Sequence, residues 1–249
     1  MNLTMKKIAI FCVSYMSDKE CNAYLASIDV AVKKATGTVR VDTFVARKTK
    51  EDNPGYFGAV KQLMEDVDVE KYDYTIISNV DLTIEADFFL KLADFDCPND
   101  TGWIAPRIWS HSEERDRNPK ILNRYSLKKL QILRLFYQFP ILDTLYTRTF
   151  YRKKKYESHP AGETYAGHGS FIILTRSYFE RCGKVNYPVF LFCEEIYLAE
   201  MCQTAGLKVV YCPSLKVDDS EHASTGKMSH RLYCHYNLEA MNYIINTFY

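Results

Sequence analysis

Three places in the chain carry side chains with oxygen or imidazole chemistry at useful spacing. Asn79-Val80-Asp81 sits inside the largely apolar run Tyr72–Ile84 and sets an amide and a carboxylate one residue apart. Side chains alternate across a strand, so Asn79 and Asp81 leave on the same face near its carboxyl end. Their oxygens are hard donors, suited to a Mg²⁺ or Mn²⁺ ion that keeps its waters and takes further ligands from phosphate groups. Taken alone, the pair is explained more simply by an Asx-type turn before a helix over Ile84–Leu92. Glu194-Glu195 follows the apolar run Val189–Cys193 directly. Acidic residues in a first helical turn offset the helix dipole. A carboxylate at a strand-to-helix junction is also placed to act as a general base, its pKa tuned by burial. His222 lies in the polar stretch Lys216–Ser224, as a metal ligand or as an exposed histidine. Gly167 and Gly169 flank His168 and allow close backbone approach to a ligand, or a simple turn.

The elements that must position these groups alternate in type. Lys7–Val13 is a β-rich run, Lys19–Thr36 has helical spacing with Gly37 as its stop, and Val39–Val45 has strand alternation. Asn53-Pro54-Gly55-Tyr56-Phe57-Gly58 is a turn-rich loop before a helix over Ala59–Val67, which leads into the strand of Asn79. Two β–α units before Asp81 predict a doubly wound α/β sheet, which binds ligands at the carboxyl ends of its strands. Gly102–Ile108 predicts a short strand broken at Pro106. Phe171–Leu174 predicts another, then come helices over Ser177–Cys182 and Ile196–Ala205, stopped by Gly183 and Gly206. Leu207–Tyr211 predicts a short last strand.

The chain has 249 residues, 47% of them hydrophobic, enough for the core of one α/β domain or one domain with an insertion. A net charge of +1 gives no global reason to expect nucleic acid as a partner, and RRM-type and zinc-finger patterns are absent. Eight cysteines without a CxxC pair read as reduced thiols of a cytoplasmic protein. The early run Ile8–Val13 after Lys6 and Lys7 is too short for a signal peptide and lacks a cleavage site. No stretch reaches the length of a membrane-spanning helix.

Positive charge is concentrated locally. Residues 110–160 hold twelve Lys and Arg against five Asp and Glu, which leaves the remainder acidic. Within them Ser126–Phe139 has helical spacing, with apolar Leu130, Ile132, Leu133, Phe136 and Phe139 and polar Gln131, Arg134 and Gln138. Phe150-Tyr151 and the basic run Arg152-Lys153-Lys154-Lys155 follow. Such a segment, 120–156, can lie on an anionic membrane surface or grip a polyanionic or lipid-linked substrate; equally, it can cover the core with a solvated basic face.

Taken in order, these features resemble family-2-like glycosyltransferases of the GT-A fold, especially the rhamnosyltransferase-like bacterial enzymes that build surface polysaccharides. The resemblance spans nearly the whole chain apart from roughly residues 110–163. Asn53 to Ala59 is similar to the family's N-x-G-x-x-x-A loop, and Asn79-Val80-Asp81 to its D-x-D or N-x-D motif. Trp103–Ile108 is similar to its "aPri" strand, Gly169–Gly183 to its G-x-x-x-l-x-R-x-x-f-x-x-x-G element, and Phe190–Glu195 to its "f-l-y-x-E-D" element. His222 falls where many members have a histidine ligand. The resemblance implies a GT-A sheet, mostly parallel and flanked by helices, with a basic helical insertion. Residues 1–109 would form the nucleotide-sugar half, 110–163 the insertion and 164–249 the acceptor half.

The implied activity is transfer of a hexosyl or deoxyhexosyl group, with inversion, from a nucleotide-diphosphate sugar to a hydroxyl of a lipid-linked or oligosaccharide acceptor. The enzyme would be cytoplasmic, free or peripheral on the inner face of the membrane. Asp81, Asn79 and His222 would hold the Mn²⁺ or Mg²⁺. Glu195 would be the base, with Glu194 as its neighbour, and Ser14, Tyr15, Asp42, Asn53, Gly55, Asn79, Asp81 and Gly169 would line the donor pocket. The chain departs from the family's pattern at Asp42, which stands earlier than the usual Asp-Asn pair, and at Lys61, Tyr197 and Glu195, where the family has Asn, Asp and Asp. A catalytically silent nucleotide- or glycan-binding module on the same fold is the alternative, and it predicts binding without turnover. No GxGxxG follows the first strand, which argues against a dinucleotide-dependent oxidoreductase.

Overall fold

A computed structural model of the chain describes residues 5–149, 158–219 and 228–249. The described residues form one nine-stranded sheet with helices on both faces. Strand β1 (Lys6–Tyr15) lies between β2 (Val39–Lys48) and β3 (Tyr74–Asn79), parallel to both. β8 (Phe171–Thr175) runs antiparallel between β3 and β5 (Thr101–Ser110), and β9 (Lys208–Asp219) returns parallel to β5. Five long strands therefore point one way. The short β4 (Leu82–Ile84), β6 (Arg115–Asp116) and β7 (Gly162–Thr164) run against their neighbours.

Alternation along the strands divides the core in two. Ile8, Ile10, Ile76 and Ile173 face one way and pack with Tyr24 and Ile28 of α1 (Asp18–Lys34) and Phe88 and Leu92 of α3 (Phe88–Ala93). Ala9, Phe11, Ile77 and Ile172 face the other way. They pack with Phe57 and Val60 of α2 (Tyr56–Met64) and with side chains of α6 (Arg176–Cys182), α7 (Glu194–Thr204) and α8 (His230–Phe248). Strands buried on both faces read as continuous apolar runs, as β1 does.

Several elements differ from the sequence expectation. Residues 82–84 form β4, which pairs Leu82 with Asp219, so the helix expected over Ile84–Leu92 starts at Phe88 instead. Helix α2 begins at Tyr56, directly after the turn, and α7 at Glu194. β9 continues for 12 residues through Pro213 to Asp219, so Lys216–Asp219 is strand and not loop. Pro106 does not break β5. Its register with β9 shifts between Pro106 and Arg107, and a bulge of this kind accommodates residues that cannot donate an N–H, here Pro106 and Pro213.

The segment expected as an insertion begins inside the sheet. β6 pairs with β5, and Ile121 bridges Ala166. Beyond it, α4 (Leu127–Gln138), capped by the Ser126 hydroxyl, and α5 (Pro140–Thr149) follow one another across Phe139, with α4 packed on α8. The basic run 152–155 lies outside the described residues.

Candidate active site

The parallel strands end level. Val13 pairs with Asn79 and Tyr15 with Lys48, so the carboxyl ends of β1, β2 and β3 share one edge. Strand order reverses about β1, and at such a switch point an open α/β sheet binds its ligand. Asn79 and Asp81 are half-buried there while Val80 between them is buried. The alternation persists through the bend that ends β3 and keeps amide and carboxylate on one side.

A second acidic group reaches the same edge from the other half of the chain. The Asn79 N–H donates to the Ser170 carbonyl at 2.9 Å. One residue back, the Gly169 N–H donates to Glu195 Oε1 at 3.2 Å. The Tyr56 hydroxyl donates to the Gly169 carbonyl at 3.1 Å. Burial pushes the Tyr56 phenol far above its ordinary range, and the negative charges of Glu194 and Asp81 add to this. Tyr56 thus lies in the field of both acidic groups. Tyr56 is the first residue of α2, directly after Asn53-Pro54-Gly55, a position that does not by itself mark it as functional.

The two glutamates differ in setting. Glu194 is buried and accepts the Phe192 N–H at 3.0 Å. Burial, with the charge of Glu195 beside it, pushes its carboxyl up to about 8. Glu195 is half-buried, facing Gly169. The loop before them is held in a conformation that non-glycine residues seldom adopt, with φ of 74° at Phe192 and 62° at Cys193. The Tyr187 hydroxyl fixes it by donating to the Phe192 carbonyl at 2.7 Å. At Gly55, φ is 84° and a Cβ would stand 2.0 Å from the Phe190 carbonyl oxygen. Only glycine fits this joint between α2 and the loop.

A buried polar chain steadies the other side. Asp116 accepts from Tyr211, at 2.6 Å, and from the N–H of Asn118 and Ile108; burial raises its pKa despite these bonds. Asn118 in turn accepts the His168 N–H at 2.7 Å. Gly167 approaches the core and not a ligand, since a Cβ there would meet Ala105 at 2.7 Å and Trp103 at 2.8 Å.

The structure therefore brings Asn79, Asp81, Gly169, Glu194 and Glu195 together, with Tyr15 at the end of β1 and Asn53-Gly55 in the loop beyond β2. Ser14 is buried near the end of β1, and Asn53 Oδ1 accepts the Gly55 N–H at 3.0 Å. Asp42 is not brought to the site. It pairs with Ala9 near the amino end of β2, and its carboxylate accepts the Tyr72 hydroxyl at 3.0 Å. At about 3.3 Å per residue it stands roughly 20 Å short of the carboxyl edge. His222 lies outside the described residues.

The donors present suit one kind of divalent ion. Among the described residues no group of three or more His, Cys, Asp and Glu could hold a metal. One carboxylate and one amide oxygen fit an ion that takes most of its ligands from substrate phosphates and water, as Mg²⁺ and Mn²⁺ do.

No protein-family model matches the chain, and no curated protein matches it by sequence. Solved structures do. GalNAc-T7 with UDP, GalNAc and Mn²⁺ superposes with a TM-score of 0.50 at 12% identity, over 96% of this chain and 48% of that one. The fold is GT-A. This chain thus spans about half the length of GalNAc-T7. A mutant of Drosophila β1,4-galactosyltransferase 7 in complex with manganese, UDP-Gal and xylobiose gives a TM-score of 0.48 at 14% identity, over 87% of this chain and 68% of that one.

Proposed function

We propose that the chain is a glycosyltransferase that moves a sugar from a nucleotide-diphosphate donor to an acceptor hydroxyl with inversion. One observation carries this: the backbone run from Asn79 through Ser170 to Gly169 joins the Asp81 edge to the Glu195 carboxylate, so two acidic groups from different halves meet at the switch point. Asp81 and Asn79 would hold a Mn²⁺ or Mg²⁺ ion, whose chemistry is to offset the charge growing on the departing diphosphate. Glu195, oriented by the Gly169 N–H, takes the proton of the acceptor hydroxyl as its oxygen attacks the anomeric carbon. The bond to the diphosphate breaks on the opposite face, and its electron pair leaves with the diphosphate. Glu194, protonated near neutral pH, keeps a second negative charge away from this base and holds Phe192 in place.

The likeness to family-2-like sequences extends the proposal to bacterial surface polysaccharide, capsule or O-antigen, with a hexosyl or deoxyhexosyl donor. A thermal-shift screen of nucleoside diphosphates with and without Mn²⁺, followed by a nucleotide-sugar hydrolysis assay, tests it. Metal-dependent stabilisation and slow hydrolysis that disappears in Glu195→Gln are expected. Nucleotide binding without any turnover would favour the silent-module alternative instead.

A further inference from the structure

Helix α4 is apolar on two faces. Leu130, Leu133 and Tyr137, spaced i, i+3 and i+7, turn inward onto the core, and Leu130 is fully buried. Ile132, Leu135 and Phe139 repeat the same spacing on the outer face and are 54%, 45% and 50% exposed. Helix α5, next in the chain, adds Ile141, 82% exposed, and Leu145, 59% exposed. Of the thirteen exposed large apolar side chains among the described residues, eight fall between Leu122 and Leu145. A soluble surface scatters such residues singly, so this concentration marks a contact surface.

The charge beside it says what covers it. Lys128 and Arg134 border Ile132 and Leu135 in a shallow groove that holds no acidic residue. Apolar side chains framed by cations complement an anionic lipid surface. No described helix is long and apolar enough to cross a membrane, so the contact would be interfacial.

The inner face of the same helix reaches the candidate site. Tyr137 of α4 meets Tyr233 of α8 with ring centroids 6.0 Å apart, and Tyr233 meets Phe192 of the catalytic loop at 5.1 Å. Tyr125, two residues before α4, lies in the field of Glu195, although burial is the larger cause raising its pKa.

We infer that the outer face of α4 and α5 docks on an anionic membrane surface and sets the site over a lipid-linked acceptor. The second half rests on the transfer activity proposed above. The test is flotation of the full chain with phosphatidylcholine vesicles, with and without phosphatidylglycerol, at low and high salt. The variants are Ile132→Ser/Phe139→Ser/Ile141→Ser and Lys128→Gln/Arg134→Gln, all at exposed or bordering positions. Binding is expected only to the anionic vesicles, weakened by salt, roughly tenfold lower in the triple variant and several-fold lower in the charge variant. Absence of binding, equal binding to neutral vesicles, or binding unaffected by the triple variant would overturn the inference. Self-association that the triple variant abolishes, without vesicle binding, would assign the face to a second copy of the chain and overturn it too. Nucleotide-sugar hydrolysis in solution, expected to be unchanged in the triple variant, separates the two proposals. Vesicle binding by a chain that hydrolyses no nucleotide sugar leaves docking intact and removes the transferase.

Discussion

Glu195 accepts the backbone N–H of Gly169 at 3.2 Å, and a Cβ on that glycine would stand 3.1 Å from the same carboxylate oxygen. The base proposed here is therefore set by a residue whose lack of a side chain leaves it room. Gly169→Ala pushes the carboxylate aside without touching Asp81 or Asn79. It is expected to lower kcat about tenfold or more, since small displacements of a reacting group are costly, while nucleotide affinity in a thermal-shift titration stays at the wild-type value.

On its other side Gly169 is held by Tyr56, whose hydroxyl donates to the carbonyl at 3.1 Å. Tyr56→Phe leaves that carbonyl without its protein donor in a largely enclosed place. A loss of about 1 kcal/mol in urea unfolding is expected, together with a several-fold fall in kcat. A variant as active and as stable as the parent would show that the bond does not position the loop.

Glu194 gives a pH signature. Its folded pKa is raised to about 8 by burial and by the charge of Glu195, above its value in the unfolded chain. The folded state thus binds this proton more tightly, and the associated stability is fully present below the unfolded pKa and lost as pH rises through about 8. Glu194→Gln carries no such proton. The Tm of the parent minus that of the variant should fall from about pH 5 to about pH 9; a flat difference would mean the carboxyl is ionised throughout.

Much of this was legible in the sequence, for identifiable reasons. β1 and β3 are buried along most of their length and α1 buries one face at helical spacing through Cys21, Tyr24, Ile28 and Ala31, so composition and periodicity announce them, and the carboxylates stand out because they end apolar runs. β4 was missed because its three residues are fixed by pairing with β9, a partner more than a hundred residues away. The length of β9 was hidden by Pro213, which belongs to a bulge. Gly167 reads in the sequence as a ligand contact or a simple turn but makes room for Trp103 and Ala105, and Tyr56 has no local pattern that marks it as lying near two acidic groups. Close approach between distant segments leaves little trace in local spacing.

Glu200 shows the same in a buried ion pair. Burial acts to raise its pKa, but hydrogen bonds from Arg124, Tyr165 and Tyr249 hold it below the usual range. The pair ties the segment before α4 and the end of the chain to α7, the helix that begins with the glutamates. Arg124→Ala would leave a buried carboxylate short of its cation. A loss of roughly 2 kcal/mol is expected, below the range for fully buried pairs because the Arg124 side chain stays 39% exposed. The stability that Glu200 confers is present above its unfolded pKa and declines as pH falls through the depressed folded value, so the variant and parent should converge in acid.

Asp42 and Asp81 distinguish the two places a nucleotide could meet a carboxylate. Asp81 stands at the carboxyl edge beside Asn79, whereas Asp42 stands near the amino end of β2, bonded by Tyr72. If the diphosphate and its cation occupy the switch point, Asp81→Ala should abolish the Mn²⁺-dependent part of the nucleotide thermal shift. Asp42→Ala should leave that part unchanged and cost the half-buried hydrogen bond from Tyr72 and the surface ion pair with Arg40, about 1 kcal/mol. The opposite pattern would move the nucleotide to the other end of the sheet. There the β1–β3 switch point and the Glu195 carboxylate could play no part in its chemistry.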